Sequence, residues 1–356
     1  MRNDGRVDQL TATLDRGWDL AQRGDASGAV ACAKRAFELD PQSPEVHNLL
    51  GFSSALAGDP DEALSHYRQA IALDDTYLEA MLNAAEVLMH PLSEWDEAIE
   101  LCDDAYELAE SDEEVADCIL LKVDALMSKG AREEAERAMR LLPEGPFQSD
   151  SYTFLIGRAY YELGDLERAT PRIEEAAQKD PAHADAQYYL GLVRDERGDV
   201  RGATEAFLRS RSIDVGREPP PWAPTPETFG TLVEGALRKL DALLARYVRE
   251  AEVYVVDVPG AELVVDGVDP RALMIVDAQR TEPEEDEAEL LVQTGETRER
   301  RERGRCRIFV YQRNVERAAG EMEHLEEELA RALEREVTAV FLEPDAEEKK
   351  GSHELN

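Results

Sequence analysis

The sequence predicts a mostly helical protein: an α-solenoid of about six helix–turn–helix repeats followed by a small α+β domain. Three observations carry that expectation. Small residues recur at a 34-residue period through the first two thirds of the chain. A proline-rich stretch, Glu218 to Pro226, then interrupts the period. Beyond it come short runs rich in β-branched residues and a final amphipathic segment, Met322 to Phe341.

The period is read from glycines first. Gly17–Gly51 and Gly157–Gly191 are each 34 apart, and a second glycine follows seven residues later at Gly24, Gly58, Gly164 and Gly198. Alanines follow at fixed offsets: Ala29, Ala63, Ala169 and Ala203, then Ala36, Ala70 and Ala176, with Pro41 and Pro181 closing two of the units. The first glycine and the alanines are small where two helices cross closely. The second glycine ends the first helix, helix A. Asp25, Asp59, Asp165 or Asp199 then opens helix B. Proline ends the unit because it cannot continue a helix. Leu50, Tyr67, Ile156, Tyr160, Leu190 and Phe207 fill the seam between the helices.

This spacing resembles that of tetratricopeptide repeats. Six units are placed at 10–43, 44–77, 78–112, 116–149, 150–183 and 184–217, together a repeat array over 1–217. The third has a longer turn, His90 to Trp95, and the fourth replaces the first small residue by Val123 and ends in the loop Pro143 to Pro146. The resemblance implies a right-handed superhelix whose concave face is made by the A helices and holds a peptide. Groove-facing positions would then include Asn48, Phe52, Glu79, Glu86, Asp124, Arg158, Tyr161, Tyr188 and Asp195. Acids outnumber bases in this set, so a peptide or protein segment with Lys or Arg is the favoured partner. The basic clamp used by chaperone-binding members of the family has no counterpart here.

Composition points the same way. The 356 residues carry 78 acidic and 40 basic side chains, a formal net charge of −38. Such a charge disfavours nonspecific binding to nucleic acid or to an anionic membrane, and favours a basic partner. Four scattered cysteines, Cys32, Cys102, Cys118 and Cys306, lack metal-ligand spacing and suit reduced thiols of a cytoplasmic protein. The first residues, MRNDGRVDQL, contain no apolar core of a secretory signal. No apolar run reaches the length of about eighteen residues that a membrane span needs.

After the linker at 218–227, a domain over 228–345 reads as helix, strand, short strands, strand, helix. A helix is expected from Thr225 or Glu227 to Tyr247, with Trp222 in the linker placed to plug a pocket. Glu252 to Val258 reads as a strand, Leu263 to Val265 as a short strand, and Arg271 to Val276 as either helix or strand. Arg307 to Tyr311 reads as a strand. Residues 279–305, acidic and then basic, read as an unstructured insert, and 346–356 as a tail.

The segments PPPWAPTPETF, VYVVDVP, Asp269-Pro270, RIFVYQRNVERAAG and the terminal helix resemble the bacterial minimal zincin-like metallopeptidase family. The resemblance implies an edge strand along a cleft and a terminal helix carrying His-Glu-x-x-His. Two imidazoles four residues apart bind zinc there and the Glu activates water. Carried over, the ligand positions are Arg335 and Ala339, the base is Glu336, the turn glycine is Leu342 and the third ligand is Asp345. Arg is a permanent cation and Ala has no donor atom, so neither holds zinc. A glycine-rich loop of the family is replaced by Leu273 to Val276. The histidines His47, His66, His90, His183, His324 and His353 stand singly and do not restore the site. The expectation is a scaffold or adaptor with a catalytically inactive peptidase-like domain, binding no metal or cofactor. The competing classes are an active zinc peptidase with a non-standard site and a purely structural subunit.

Overall fold

The computed structural model describes residues 4–278 and 306–342. The expected insert at 279–305, the tail at 346–356 and Asp345 lie outside the described residues. The chain divides into two compact units, Met1–Lys179 and Asp180–Asn356. This division falls one hairpin before the composition shift at the proline-rich stretch.

The first unit is five antiparallel helix pairs: α1 (Asp4–Gln22) with α2 (Ala26–Leu39), α3 (Pro44–Leu56) with α4 (Pro60–Leu73), and α5 (Leu78–Met89) with α6 (Trp95–Leu108). Then come α7 (Asp112–Ser128) with α8 (Arg132–Ala138), and α9 (Ser151–Glu162) with α10 (Leu166–Lys179). The A helices α1, α3, α5, α7 and α9 contact one another in succession and form one layer.

The repeated residues do the work their chemistry suits. Gly24, Gly58, Gly130 and Gly164 sit between A and B helices at φ between 70° and 80°, a left-handed conformation that a side chain would strain. Asp25, Asp59 and Asp165 then accept the backbone N–H of Gly28, Glu62 and Arg168 at 2.9, 3.0 and 3.1 Å, capping each B helix. Ala29, Ala63 and Ala169 are fully buried at the crossings. The fourth pair departs from this pattern: α8 is two turns long, passes into a 3₁₀ turn at Met139–Leu141, and gives way to a loop before α9. Pro143 and Pro146, which cannot extend a helix, lie in that loop.

The second unit begins with a sixth hairpin, α11 (Ala184–Glu196) and α12 (Val200–Gly216). Asp199 caps α12 by accepting from Gly202 N at 3.0 Å. The remaining elements are α13 (Pro226–Lys239), α14 (Ala242–Val248), β1 (Glu252–Val256), α15 (Ala261–Val265), β2 (Met274–Ala278), β3 (Cys306–Tyr311), α16 (Gln312–Ala319) and α17 (Leu325–Phe341). The strands form one sheet in the order β1-β3-β2, with β1 parallel and β2 antiparallel to β3. Ile308, Val310, Met274 and Val276 pack with Phe229 and Val233 of α13 and with Leu325, Leu329, Leu333 and Val337 of α17. Trp222 packs against this core, as its place in the linker suggests.

Three local expectations change. The helix expected to run to Tyr247 breaks after Lys239, because Asp241 accepts from Leu243 N at 2.8 Å and starts a new helix. Leu263 to Val265 is helical, not extended. Pro259-Gly260 turns the chain, Gly260 O accepts from Val264 N, and α15 packs on α12 instead of joining the sheet. The segment at Arg271 to Val276, read as either type, becomes a turn followed by β2.

The close approach of α3 and α4 is tested by substitution. A Cβ placed on Gly51 would meet the Tyr67 ring at 2.6 Å, and Tyr67 is 1% exposed and has no room to retreat. Gly51→Ala is expected to lower stability by about 1–3 kcal/mol, read as a lower urea midpoint with the slope of the transition retained.

Candidate functional site

All nine side chains expected on the groove fall on A helices: Asn48 and Phe52 on α3, Glu79 and Glu86 on α5, Asp124 on α7, Arg158 and Tyr161 on α9, Tyr188 and Asp195 on α11. Their environments differ sharply. Glu79, Glu86 and Asp195 are exposed. Phe52 is half-buried, its ring 5.2 Å from Trp18. Tyr161 is half-buried.

Asn48 is not a surface contact: it is 0% exposed. Its amide nitrogen donates to Tyr77 Oη at 3.1 Å and its oxygen accepts from Asn83 Nδ2 at 3.0 Å. Buried amides are kept where their hydrogen bonds are met internally, and this one joins α3 to α5. Glu79 and Glu86 flank Asn83 along α5. Burial first, then the carboxylate of Glu79, pushes the Tyr77 hydroxyl up to about 12; Glu45 and Asp74 act in the same direction and the Asn48 hydrogen bond opposes. Tyr77 is therefore a neutral hydroxyl among acids, accepting from Asn48.

Two further polar links join successive A helices. Tyr152 Oη donates to Asp117 Oδ1 at 2.8 Å. Arg158 lies 3.4 Å from both Asp124 and Glu162. Burial raises the Asp124 carboxyl, with Arg158 opposing.

In the second unit Tyr188 is engaged by the same chain. Its hydroxyl donates to Asp269 Oδ2 at 2.9 Å, and the Arg271 guanidinium lies 4.4 Å over its ring. Arg271 also reaches Asp185 at 2.7 Å and Asp214 at 3.3 Å. Asp214, with a side chain only 4% exposed, is shared with Arg317 at 2.9 Å. Arg313 Nη1 donates to the carbonyls of Val215 and Arg217 at 2.9 and 3.0 Å, covering the end of α12. Burial disfavours the Asp185 carboxylate, but Arg271 outweighs it and holds the group below the usual range. Arg271, Asp185 and Asp214 escape sequence reasoning, although one signal was present. Asp40, Asp74 and Asp180 each accept the N–H two residues on, turning the chain into the next A helix. Asp214 holds the same repeat position, 34 after Asp180, with no A helix to follow.

On α17, Arg335 Nε lies 3.1 Å from Glu336 Oε1, and Ala339 is exposed. The salt bridge joins neighbouring residues of the terminal helix. The histidines are not all single: α3 and α4 bring His47 and His66 together, Nδ1 to Nδ1 at 3.3 Å. Burial and then His47 push His66 below the ordinary imidazole value, with Glu62 opposing. Among the described residues no group of three His, Cys, Asp or Glu side chains could hold a metal ion. Among them, too, no helix is long and apolar enough to cross a membrane.

A family model described as tetratricopeptide repeat matches residues 14–77, 55–113 and 154–214. Over 103 residues the chain is 31% identical to tetratricopeptide repeat protein 21B of Homo sapiens, covering 28% of this chain and 8% of that one. Over 111 residues it is 31% identical to the DnaJ homolog subfamily C member 7 homolog of Schizosaccharomyces pombe, covering 30% and 23%. Over 54 residues it is 33% identical to a TPR repeat-containing protein of Pseudomonas aeruginosa, covering 15% and 51%. The chain thus spans about half or less of the length of the curated relatives it matches. Among solved structures, it is similar to Pseudomonas aeruginosa PilF, with 19% identity, a TM-score of 0.49, and 60% of this chain and 95% of that one covered. It is also similar to YrrB, a TPR protein with an unusual peptide-binding site, with 19% identity, a TM-score of 0.38, and 51% and 91% covered.

The pH dependence of the second unit follows from Asp185. Its carboxyl is held below the unfolded value, so its contribution is complete above pH of about 4 and is lost as pH falls through the lowered value. Acid titration followed by Trp222 fluorescence in a Trp18→Phe/Trp95→Phe background is expected to show this loss, and a flatter acid limb when Asp185→Asn is added.

Proposed function

We propose that this chain, a tetratricopeptide repeat protein over residues 14–113 and 154–214, is a non-catalytic scaffold that holds a basic protein or peptide segment against its A helices. Stacked helical repeats offer extended surfaces to partners. The observation that carries the reading is the exposed pair Glu79 and Glu86 on α5. These carboxylates flank an amide, Asn83, that is tied to buried Asn48, and stand beside the neutral hydroxyl of Tyr77. Lysine or arginine side chains of a partner would each gain a carboxylate here, and neither carboxylate is in an ion pair among the described residues. The net charge of −38 adds long-range attraction for a cationic segment and repulsion for nucleic acid. Free thiols at all four cysteines suit a reducing compartment, so the proposal includes the cytoplasm.

The measurement is anisotropy of a labelled Lys/Arg-rich peptide. The Glu79→Gln/Glu86→Gln chain is expected to bind about 3- to 10-fold more weakly at low salt, with a shallower salt dependence. Equal binding of an acidic peptide of the same length, or no change in the double variant, would sink the reading.

The peptidase-like reading of residues 228–345 is part of the same proposal: an inactive relative of the minimal zincin-like enzymes. Its support is chemical. Arg335 and Ala339 stand at both ligand positions, and Arg335 closes on Glu336, the position of the base. Purified protein is expected to carry no stoichiometric zinc by elemental analysis. Bound zinc together with chelator-sensitive peptide hydrolysis would favour the active-enzyme alternative.

A further inference from the structure

The sixth hairpin already holds a basic side chain, and its geometry defines a recognition mode. The Arg271 guanidinium carbon lies over the Tyr188 ring, 4.4 Å from its centroid, with one carboxylate from the start of α11, Asp185 at 2.7 Å, and one from the end of α12, Asp214 at 3.3 Å. An aromatic face and two carboxylates at the guanidinium are what arginine requires, and a lysine ammonium would use the plane less well. We propose that this A-helix face is an arginine-recognition site, filled in cis by Arg271, which an arginine of a basic partner enters by displacing that side chain. The inference rests on the scaffold reading above and specifies its chemistry: arginine in preference to lysine, at a seat the chain itself occludes.

Three features make exchange of the side chain feasible without undocking the fold. The backbone around Arg271 is held independently: buried Asn314 donates to the carbonyls of Pro270 and Ala272 at 3.0 and 2.8 Å, and Asp269 accepts from Arg271 N at 2.7 Å. Asp214 keeps Arg317 at 2.9 Å when Arg271 leaves, so no buried charge is stranded. The Asp185 side chain is 42% exposed, whereas that of Arg271 is 14% exposed, so the seat opens to solvent on the Asp185 side.

The test compares three labelled peptides, identical except that one carries arginines, one lysines and one citrullines. Each is titrated against the full-length wild type, Arg271→Ala, and Arg271→Ala/Asp185→Asn. Removing the internal occupant is expected to tighten the arginine peptide about tenfold. The lysine peptide should gain less and the citrulline peptide nothing, and Asp185→Asn should erase the gain. Equal affinity of wild type and Arg271→Ala, or the same gain for lysine as for arginine, overturns the inference. If the wild type still binds through Glu79 and Glu86 in that case, the scaffold reading survives alone; if neither chain binds any peptide, both fall. Arg271→Gln removes the cation but keeps a polar side chain of similar reach, and carries the same comparison should the alanine variant unfold. A direct reading of the seat needs no peptide: millimolar methylguanidinium should raise the Tm of Arg271→Ala and leave the wild type unchanged. A Tm unmoved in both overturns the proposal.

Discussion

Everything in the first unit depends on how closely helix A approaches helix B. At Gly51 the gap is narrower than a methyl group, and the Tyr67 ring fills it. That contact works only if the chain reverses sharply between the helices. The left-handed glycines provide the reversal, and the aspartate caps beyond them satisfy the N–H groups it exposes. The 34-residue period is the sequence-level imprint of this geometry. Each hairpin leaves apolar and small-residue surface that only another hairpin covers, which is why the A helices form a layer.

The same logic explains how the last hairpin ends. At Asp40, Asp74 and Asp180 the aspartate that closes a unit spends its carboxylate on the turn into the next helix. At Asp214 there is no next helix of that kind, and burial of an unpaired carboxylate would be severely destabilising. Arg271, Arg317 and Arg313 satisfy the position instead, and α15 packs on α12. The region after the linker thereby takes the place a further repeat would fill. This also accounts for the compact division at Lys179–Asp180: the sixth hairpin shares more with the α+β region than its sequence pattern suggests.

The repeats were legible because steric demands recur. Glycine, alanine, aspartate and proline at fixed offsets each report a backbone requirement that few residues meet. The strands β1 and β3 were legible from their β-branched composition, and α17 from its apolar stripe. Leu263 to Val265 was not, because three apolar residues have no measurable period and the Pro259-Gly260 turn decides their geometry. Site residues were harder still. Helical spacing places Asn48 and Tyr188 on A helices but cannot tell that Asn48 faces Asn83 and Tyr77, or that Tyr188 is met from residue 271. Both facts depend on contacts between segments distant in the chain, which local pattern does not encode.

The hydrogen-bonded rungs between A helices have a consequence for how such a chain can change. Small residues recur at most of the helix crossings, so on their own they would place little constraint on which hairpin follows which. The polar rungs are not alike: Asn48 meets Asn83 and Tyr77, Asp117 meets Tyr152, and Asp124 meets Arg158. A hairpin moved to another place would leave amides or carboxylates facing the wrong neighbour. The rungs act as keys between adjacent parts, so the order of the hairpins is itself specified, and the chain is better able to drift by substitution than to grow by copying a unit.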